Sequence, residues 1–313
     1  MNLRSLSFGT CALITLVLAA TSTPPARADG FDIGAASNFG VLYEGNGGNT
    51  LNFNNSGITG NIGIGATGKF DSAGGCVGNC LITGAVDFSA ANTGQFTSNS
   101  TTITGGVNYN VSAVTSALNA VNSLSQSLGL ESGTAVNIAS GGSINASSGT
   151  LDANGNRVFT ATINSNFSAG TTFTINGTAS QHVVLNIPTT GGHGFNGSIV
   201  LAGGITSDQV LFNFDAGNYS TLSGGDTLTI STSGNATTGI FLDPNGNIQI
   251  NHSILDGRLF GGDTQNMQIV SGATIVAPVG VPGPFAGAGL PGLVAACLGL
   301  LTLRRRPTRR RLR

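Results

Sequence analysis

Residues that could perform acid–base or metal chemistry are few in this sequence of 313 residues. His182, His193 and His252 have no neighbouring His or Cys, so the sequence predicts no metal site. Glycoside hydrolysis needs two carboxyl groups that flank the scissile bond. The chain contains no Asp-Asp pair and no Asn-Thr-Asp segment that could act with Gly192-His193-Gly194. We therefore predict no catalytic residues and no cofactor.

Two near copies of one acidic segment, LDANGN from Leu151 and LDPNGN from Leu242, allow two interpretations. Asp152 and Asp243 with the adjacent Asn could offer oxygen ligands to calcium, but the charge density of a calcium loop is absent. Asp, Asn and Gly in this order are also typical of a tight turn between strands. We favour the turn.

Threonines spaced two residues apart are candidates for binding an ordered surface such as ice. Because side chains alternate along a strand, both threonines of a pair point to one face. One pair is Thr102 and Thr104, and the candidate ice or ligand face consists of Thr160, Thr162, Thr172, Thr174, Thr227 and Thr229. The spacing between pairs is not constant, so a single aligned array does not follow. Threonine is also an ordinary exposed strand residue.

Charge is distributed unevenly. All thirteen acidic residues lie between Asp29 and Asp263, where the basic residues are Lys69, Arg157 and Arg258, which gives this segment a net charge of about minus ten. Such a surface repels phosphate backbones, so the sequence argues against nucleic-acid binding. Three basic residues are also too few to line the cleft of a polysaccharide lyase.

The two ends predict export. Residues 1–28 combine Arg4, an apolar run from Cys11 to Ala20 and the cleavage signal Ala26-Arg27-Ala28, which is typical of a secretory signal peptide. In the outward segment that follows, Cys76 and Cys80 are the only cysteines. An oxidising compartment favours a disulfide between them, and a metal site would need two further soft ligands.

The tail from residue 279 to residue 313 has three parts. Val281-Pro282-Gly283-Pro284 precedes an uncharged stretch, residues 285–303, which is long enough to cross a membrane. Arg304, Arg305 and Arg306 begin a basic end at 304–313 that predicts a stop-transfer signal with the acidic domain facing outward.

This layout resembles the PEP-CTERM sorting signal, which implies an exosortase-like envelope protease as a partner. In the family's motif Glu stands where this chain has Gly283, and a permanent membrane anchor is the alternative.

The body of the chain, residues 29–278, predicts an all-β fold. Ile-Thr-Gly recurs at Ile58, Ile82 and Ile103, with spacings of 24 and 21 residues, as in coils of a β-solenoid. In each copy the outer apolar residues sit four apart, on one face of a bent strand, and Gly marks a turn or a close backbone approach. The segment NVSAVTSALNAVNSLSQSLGL instead predicts one long amphipathic helix, with Ser112 as N-cap and Gly129 at its end.

Coils, a long helix and a strand-rich half that ends in GIFLDPNGNIQINHSILDGRLFGG and SGATIVAP together resemble the choice-of-anchor A and ice-binding-like adhesive domains of bacterial surface proteins. The opening AASNFGVLYEGNGGNTLNFNNSGITGNIGIG is also similar, and the resemblance covers residues 33–278. It implies a right-handed parallel β-helix with a flanking α-helix, in addition to a signal helix and a C-terminal transmembrane helix.

These observations predict a non-enzymatic adhesive or structural protein of the bacterial cell surface or exopolysaccharide matrix, exported and displayed by its tail. Exopolysaccharide or another surface ligand is the expected partner. The alternative is ice binding through a threonine-rich solenoid face, and a β-helix enzyme acting on polysaccharide is the weakest hypothesis.

Overall fold

The computed structural model describes residues 30–278, except 75, 77–79, 189–191, 215–226, 245 and 263–264. Short apolar runs separated by turn residues form strands, as the alternation of buried and outward side chains requires. The N-terminal strands are β1 (Phe39–Tyr43), β2 (Thr50–Asn54), β3 (Gly57–Thr59), β4 (Asn61–Ile64), β5 (Lys69–Ser72), β6 (Leu81–Ile82), β7 (Val86–Phe88), β8 (Phe96–Ser98), β9 (Thr102–Ile103) and β10 (Val107–Asn108).

Helix α1 (Ser112–Gly129) separates these strands from a second set. That set consists of β11 (Thr134–Ile138), β12 (Ser143–Asn145), β13 (Thr150–Leu151), β14 (Asn156–Ile163), β15 (Thr172–Asn176), β16 (His182–Ile187), β17 (Gly192–Phe195), β18 (Ser198–Ala202), β19 (Val210–Phe214), β20 (Thr227–Ile230), β21 (Ala236–Asp243), β22 (Asn247–Asn251), β23 (Ile254–Gly261), β24 (Met267–Val270) and β25 (Thr274–Val276). Short 3-10 helices lie at Gly34–Asn38, Asn46–Gly48, Ala146–Ser148 and Ser207–Gln209.

The strands stack into a solenoid with three faces, which we call A, B and C. In spatial order, face A contains β10, β7, β4, β1, β23, β21, β19, β16, β14 and β11. Face B contains β17, β20, β22, β24, β2, β5 and β8. Face C contains β12, β15 and β18, then the N-terminal halves of β21 and β23, then β25, β3, β6 and β9. Within the described part of the chain only β13 pairs antiparallel. The predicted parallel β-solenoid with one helix is confirmed.

The order of strands in space differs from their order along the chain. Strand β1 lies between β4 and β23, and β2 lies between β5 and β24. The N-terminal coils therefore build outward from the middle of the solenoid to β10. Helix α1 runs back along face A, and the later coils build from β11 until β23 meets β1. Sequence repeats did not predict this order, because a repeat does not specify which copy will be its neighbour.

The Ile-Thr-Gly repeats form the corner between faces C and A. Ile58, Ile82 and Ile103 are register partners in neighbouring coils, as predicted. Gly60, with a φ of +126°, turns the chain toward face A. Past the corner the inward residues Ile62 and Val86 are again partners. Each repeat therefore supplies one inward residue to each of two faces.

Two later glycines form the same corner in β21 and β23. Gly239 and Gly257 are register partners with φ values of +131° and +155°, which favour glycine. A Cβ added at Gly257 would lie 1.9 Å from the Gly239 carbonyl oxygen, so only glycine lets these coils approach at this point.

Helix α1 packs on the outer surface of face A through its apolar stripe. Val114, Leu118, Val121 and Leu128 are buried against outward residues of face A, which are Leu42, Val158, Val184, Leu211, Ile240, Leu242 and Phe260. The helix ends at Gly129 as predicted, but the N-cap position is one residue earlier than predicted. Extended Val111 precedes the helix and Ser112 is its first residue, because the Val111 amide is held by the Phe88 carbonyl.

Cys76 and Cys80 are joined by a disulfide with a Cα–Cα distance of 5.6 Å, next to β5 and β6. The signal peptide, the motif Val281–Pro284, the span at 285–303 and the Arg304–Arg306 cluster lie outside the described residues. Within residues 30–278, where described, no helix has the length and hydropathy of a membrane span.

Candidate functional site

A hydrogen-bond network as well as apolar packing holds helix α1 over face A. Asn213 donates to the Ser125 carbonyl (3.1 Å) and to Asn186 Oδ1 (3.0 Å), and the Ser125 hydroxyl donates to Asn213 Oδ1 (2.6 Å). Asn186 in turn donates to the Leu128 carbonyl at 2.6 Å. These buried polar groups satisfy one another, which fixes the helix on this face. Faces B and C are the open surfaces of the solenoid.

Face B presents a regular row of polar side chains. Its strands alternate between buried apolar and outward polar residues, so one outward residue from each strand falls into register. The central row consists of Gly194, Thr229, Gln249, Gln268, Asn52, Asp71 and Thr97. Amides dominate its middle, and one carboxylate lies toward one end. This face can donate and accept many hydrogen bonds from a polar ligand.

Face C presents two parallel rows of hydroxyl and aliphatic side chains, which we call the face C rows. The first row contains Thr172, Ser198, Ala236, Ile254, Thr274, Gly57, Leu81 and Thr102. The second contains Ser143, Thr174, Val200, Thr238, Asp256, Val276, Thr59, Thr83 and Thr104. Where the strands of a row are paired, neighbouring positions are about 4.8 Å apart. The rows are therefore periodic on either side of the step from β18 to β21, which belong to separate sheets.

Aliphatic side chains in the face C rows are unusually open to solvent. Val200, Ile254, Val276 and Leu81 are 43%, 39%, 38% and 37% exposed. Each of them has at least one threonine beside it in its row, and the methyl groups of these threonines extend the apolar surface while their hydroxyl groups can bond water. Apolar groups and hydroxyl groups at repeated positions therefore lie side by side on this face, so adjacent water can form hydrogen bonds only at the hydroxyl positions.

Asp256 is the one charged residue in the face C rows. Burial raises its pKa above the usual value, the Ser207 hydroxyl bond opposes that shift, and the nearby Asp208 carboxylate adds to it. Asp208 itself forms an ion pair with the buried Arg258 at 2.9 Å. The two neighbouring carboxylates are therefore Asp256, in the face C rows, and Asp208, which is held by Arg258. They do not line a substrate cleft.

The six threonines of the predicted ice face are distributed over all three faces. Thr160 and Thr162 belong to β14 on face A, Thr172 and Thr174 to β15 on face C, and Thr227 and Thr229 to β20 on face B. They do not form one surface, because coils of different length place the Thr-x-Thr pairs at different points around the solenoid. The pair on β15 alone lies in the face C rows.

Sequence reasoning missed Thr59 and Thr83 as surface residues. Both occupy the middle position of the Ile-Thr-Gly repeats, and with Thr104 they form a continuous exposed run in the second row. The Thr104 hydroxyl donates to the Thr83 carbonyl at 2.5 Å. The repeats themselves contained the information needed to find these threonines, because a residue between an inward Ile and a corner Gly must point outward.

The histidine and aspartate side chains that were candidates for catalysis or calcium binding have structural roles. His193 is buried with its ring 5.5 Å from that of Phe214. Asp152 accepts hydrogen bonds from the Asn154 and Asn156 amides, and Asp243 accepts one from the Gly246 amide, as the turn interpretation predicts. Residues 30–278, where described, contain no group of three or more His, Cys, Asp or Glu that could hold a metal.

Comparison with solved structures finds the same architecture elsewhere. An ice-binding protein from the Antarctic ascomycete Antarctomyces psychrotrophicus matches with a TM-score of 0.50 and 17% identity, over 80% of this chain and 98% of that one. The chain shares the fold of an ice-binding protein. No protein-family profile matches the chain, and no curated protein matches it.

Two further matches are also described as ice-binding proteins. A glycosylated ice-binding protein from an Arctic yeast has a TM-score of 0.45 and 17% identity, over 81% of this chain and 96% of that one. The DUF3494 domain of an ice-binding protein from Shewanella frigidimarina has a TM-score of 0.42 and 12% identity, over 79% and 97%.

Proposed function

We propose that this chain is an exported, non-enzymatic ice-binding protein and that the face C rows are its ice-binding surface. The observation that carries the proposal is the arrangement of threonine hydroxyl and aliphatic groups in register on an open face. The shared fold with a solved ice-binding protein supports it. This function takes precedence over the adhesive function that the sequence first suggested.

The physical mechanism follows from the composition of the rows. Aliphatic and methyl groups release water when they contact a solid surface, and hydroxyl groups at fixed spacing replace some of the hydrogen bonds of that water. A charge would resist transfer to ice because it loses hydration. The face C rows contain one such charge, Asp256, whereas face B has an amide-rich middle and both Lys69 and Asp71, and is less suited to this task.

The test is thermal hysteresis and ice-crystal shaping by the purified full chain. We expect both effects in the wild type and their loss when Thr172 and Thr174 are replaced by Tyr, because bulky rings interrupt the face C rows. Absence of hysteresis and of shaping at high protein concentration would overturn the proposal.

A second candidate function is adhesion to a hydroxylated polymer such as exopolysaccharide, and the amide row of face B favours it. Gln249, Gln268 and Asn52 are consecutive register partners and provide repeated donors and acceptors. We expect Gln268→Leu to weaken binding of the full chain to immobilised neutral polysaccharide without affecting ice shaping. Equal binding by the wild type and by Gln268→Leu would argue against face B as the polysaccharide-binding surface.

Display at the envelope belongs to the same proposal. We infer that the signal peptide is removed, and that a membrane protease of exosortase type recognises Val281–Pro284 ahead of a transmembrane helix. We also infer that the coils of the solenoid wind in a right-handed sense. Mass spectrometry of the protein recovered from cells tests the processing: a product that ends near Pro284 supports it, and an intact Arg313 rejects it.

A further inference from the structure

A cavity separate from both open faces lies between helix α1 and the N-terminal coils. It has a volume of about 230 Å³, and turns that follow β1, β4 and β7 form one wall while the helix forms the other. Its polar lining consists of Glu44, Asn46, Ser89, Thr115 and Asn119. Polar side chains from separate segments converge here, as in binding sites for small molecules.

Ser89 gives an independent indication of a ligand. Its side chain is 3% exposed, and its hydroxyl has no hydrogen-bond partner. Its backbone is fully engaged, because the amide donates to the Ile64 carbonyl at 2.8 Å and the carbonyl accepts from the Asn92 amide at 3.1 Å. A buried hydroxyl without a partner is destabilising, so a molecule that bonds to it would be favoured.

Leu118 supplies an apolar wall to the same cavity. It is 6% exposed, and it packs so closely over Gly65 that a Cβ added there would lie 2.3 Å from its Cδ1 atom. Polar groups on one side and an aliphatic surface on the other suit a ring that carries hydroxyl groups at its edge and C–H groups on its face.

The mixture of donors and acceptors selects the class of ligand. Amide and hydroxyl groups can both donate and accept hydrogen bonds. The Glu44 carboxylate only accepts them, and Asn122 donates one to it. One carboxylate is too little for a calcium site, which takes six to eight oxygen ligands. The same carboxylate repels acidic sugars. At roughly 30 Å³ per water molecule the volume equals that of several waters, on the order of one pyranose ring.

We propose that this cavity binds one neutral pyranose, either as a free sugar or as the terminal residue of a polysaccharide. The site does not depend on ice binding or on the amide row of face B. Ice shaping by a variant of this cavity should therefore equal that of the wild type.

Saturation-transfer NMR on the full chain tests the proposal, with glucose, galactose and mannose as neutral probes and glucuronate as an acidic one. We expect transfer to at least one neutral sugar, none to glucuronate, and a loss of affinity of tenfold or more in Asn119→Leu and in Ser89→Ala. Ser123→Leu, one turn further along the exposed side of α1, is the matched control and should bind normally.

A second arm distinguishes the two sources of the sugar. Competition by dextran, at equal concentration of chain ends, would assign the site to polysaccharide termini, and competition by the monosaccharide alone would assign it to free sugar. No transfer to any neutral sugar, or equal transfer in wild type and Asn119→Leu, would show that the cavity holds only water and would overturn the proposal.

Discussion

Single residues at the corners of the solenoid determine how closely coils can stack. The strongest case is Gly257, where φ is positive and the space for a side chain is filled by the backbone of Gly239. Gly272 also has a positive φ, of +82°, but a Cβ there meets nothing within 4 Å. The two glycines therefore separate the effect of backbone conformation from that of close packing.

We expect Gly257→Ala to lower the free energy of unfolding by about 3 kcal/mol or more, because strain and a backbone clash combine. Gly272→Ala should lose about 1 kcal/mol, from conformation alone. Urea unfolding of both variants measures the difference. Equal losses would contradict the close approach of β21 and β23.

Asp256 should make stability depend on pH. Its folded-state pKa is raised above the usual 3.8, so the charged form destabilises the folded protein and protonation relieves this as the pH falls through the raised value. Asp256→Asn should therefore be more stable than wild type at neutral pH, and the advantage should shrink as the pH falls toward 3.8. Urea unfolding at a series of pH values tests this, and an advantage that grows on acidification would contradict it.

At the scale of elements, helix α1 is fixed to face A by the network of Asn186, Asn213 and Ser125. Removing the Asn213 side chain would leave buried groups of both neighbours without partners. We expect Asn213→Ala to lower the free energy of unfolding by about 2–3 kcal/mol. Gln126→Ala, on the exposed side of the same helix, should change it by less than about 0.5 kcal/mol. Chemical denaturation measures both variants. Equal losses of unfolding free energy in Asn213→Ala and Gln126→Ala would argue against a specific hydrogen-bond network.

Elements also show how far the sequence determines the structure. Apolar spacing predicted α1 to within one residue at its start, and the Ile-Thr-Gly repeats predicted coils in register, because both depend on local periodicity. The assignment of threonines to faces could not be predicted, because the repeats are 24 and 21 residues apart and coil length decides where a residue falls. The cavity between α1 and the turns that follow β1, β4 and β7 could not be predicted either, since segments distant in sequence form it.

In the molecule as a whole, the first and last coils of the described chain meet in the middle of the solenoid. Arg258, which is 1% exposed, donates to the carbonyls of Ser37 (2.8 Å), Phe39 (2.6 Å) and Pro278 (3.0 Å) and pairs with Asp208. The first and last coils are therefore joined by one buried side chain, at a junction that local sequence patterns could not reveal.

We expect Arg258→Met to lower the free energy of unfolding by about 3 kcal/mol, because buried carbonyl groups and one carboxylate lose their donor. Asp208→Asn keeps the three carbonyl contacts and removes one partially exposed charge, so about 1 kcal/mol is expected. Thermal unfolding of the two variants compares them, and an equal loss would show that the ion pair rather than the junction matters.

Incorporation into a growing ice crystal maps the ice-binding surface itself. Fluorescently labelled full chain is frozen slowly with a single ice crystal, and the fraction incorporated is measured for wild type, Thr83→Tyr on face C and Thr229→Tyr on face B. We expect incorporation of the wild type and of Thr229→Tyr, and exclusion of Thr83→Tyr. Exclusion of all three proteins, or incorporation of Thr83→Tyr at the wild-type level, would contradict this expectation.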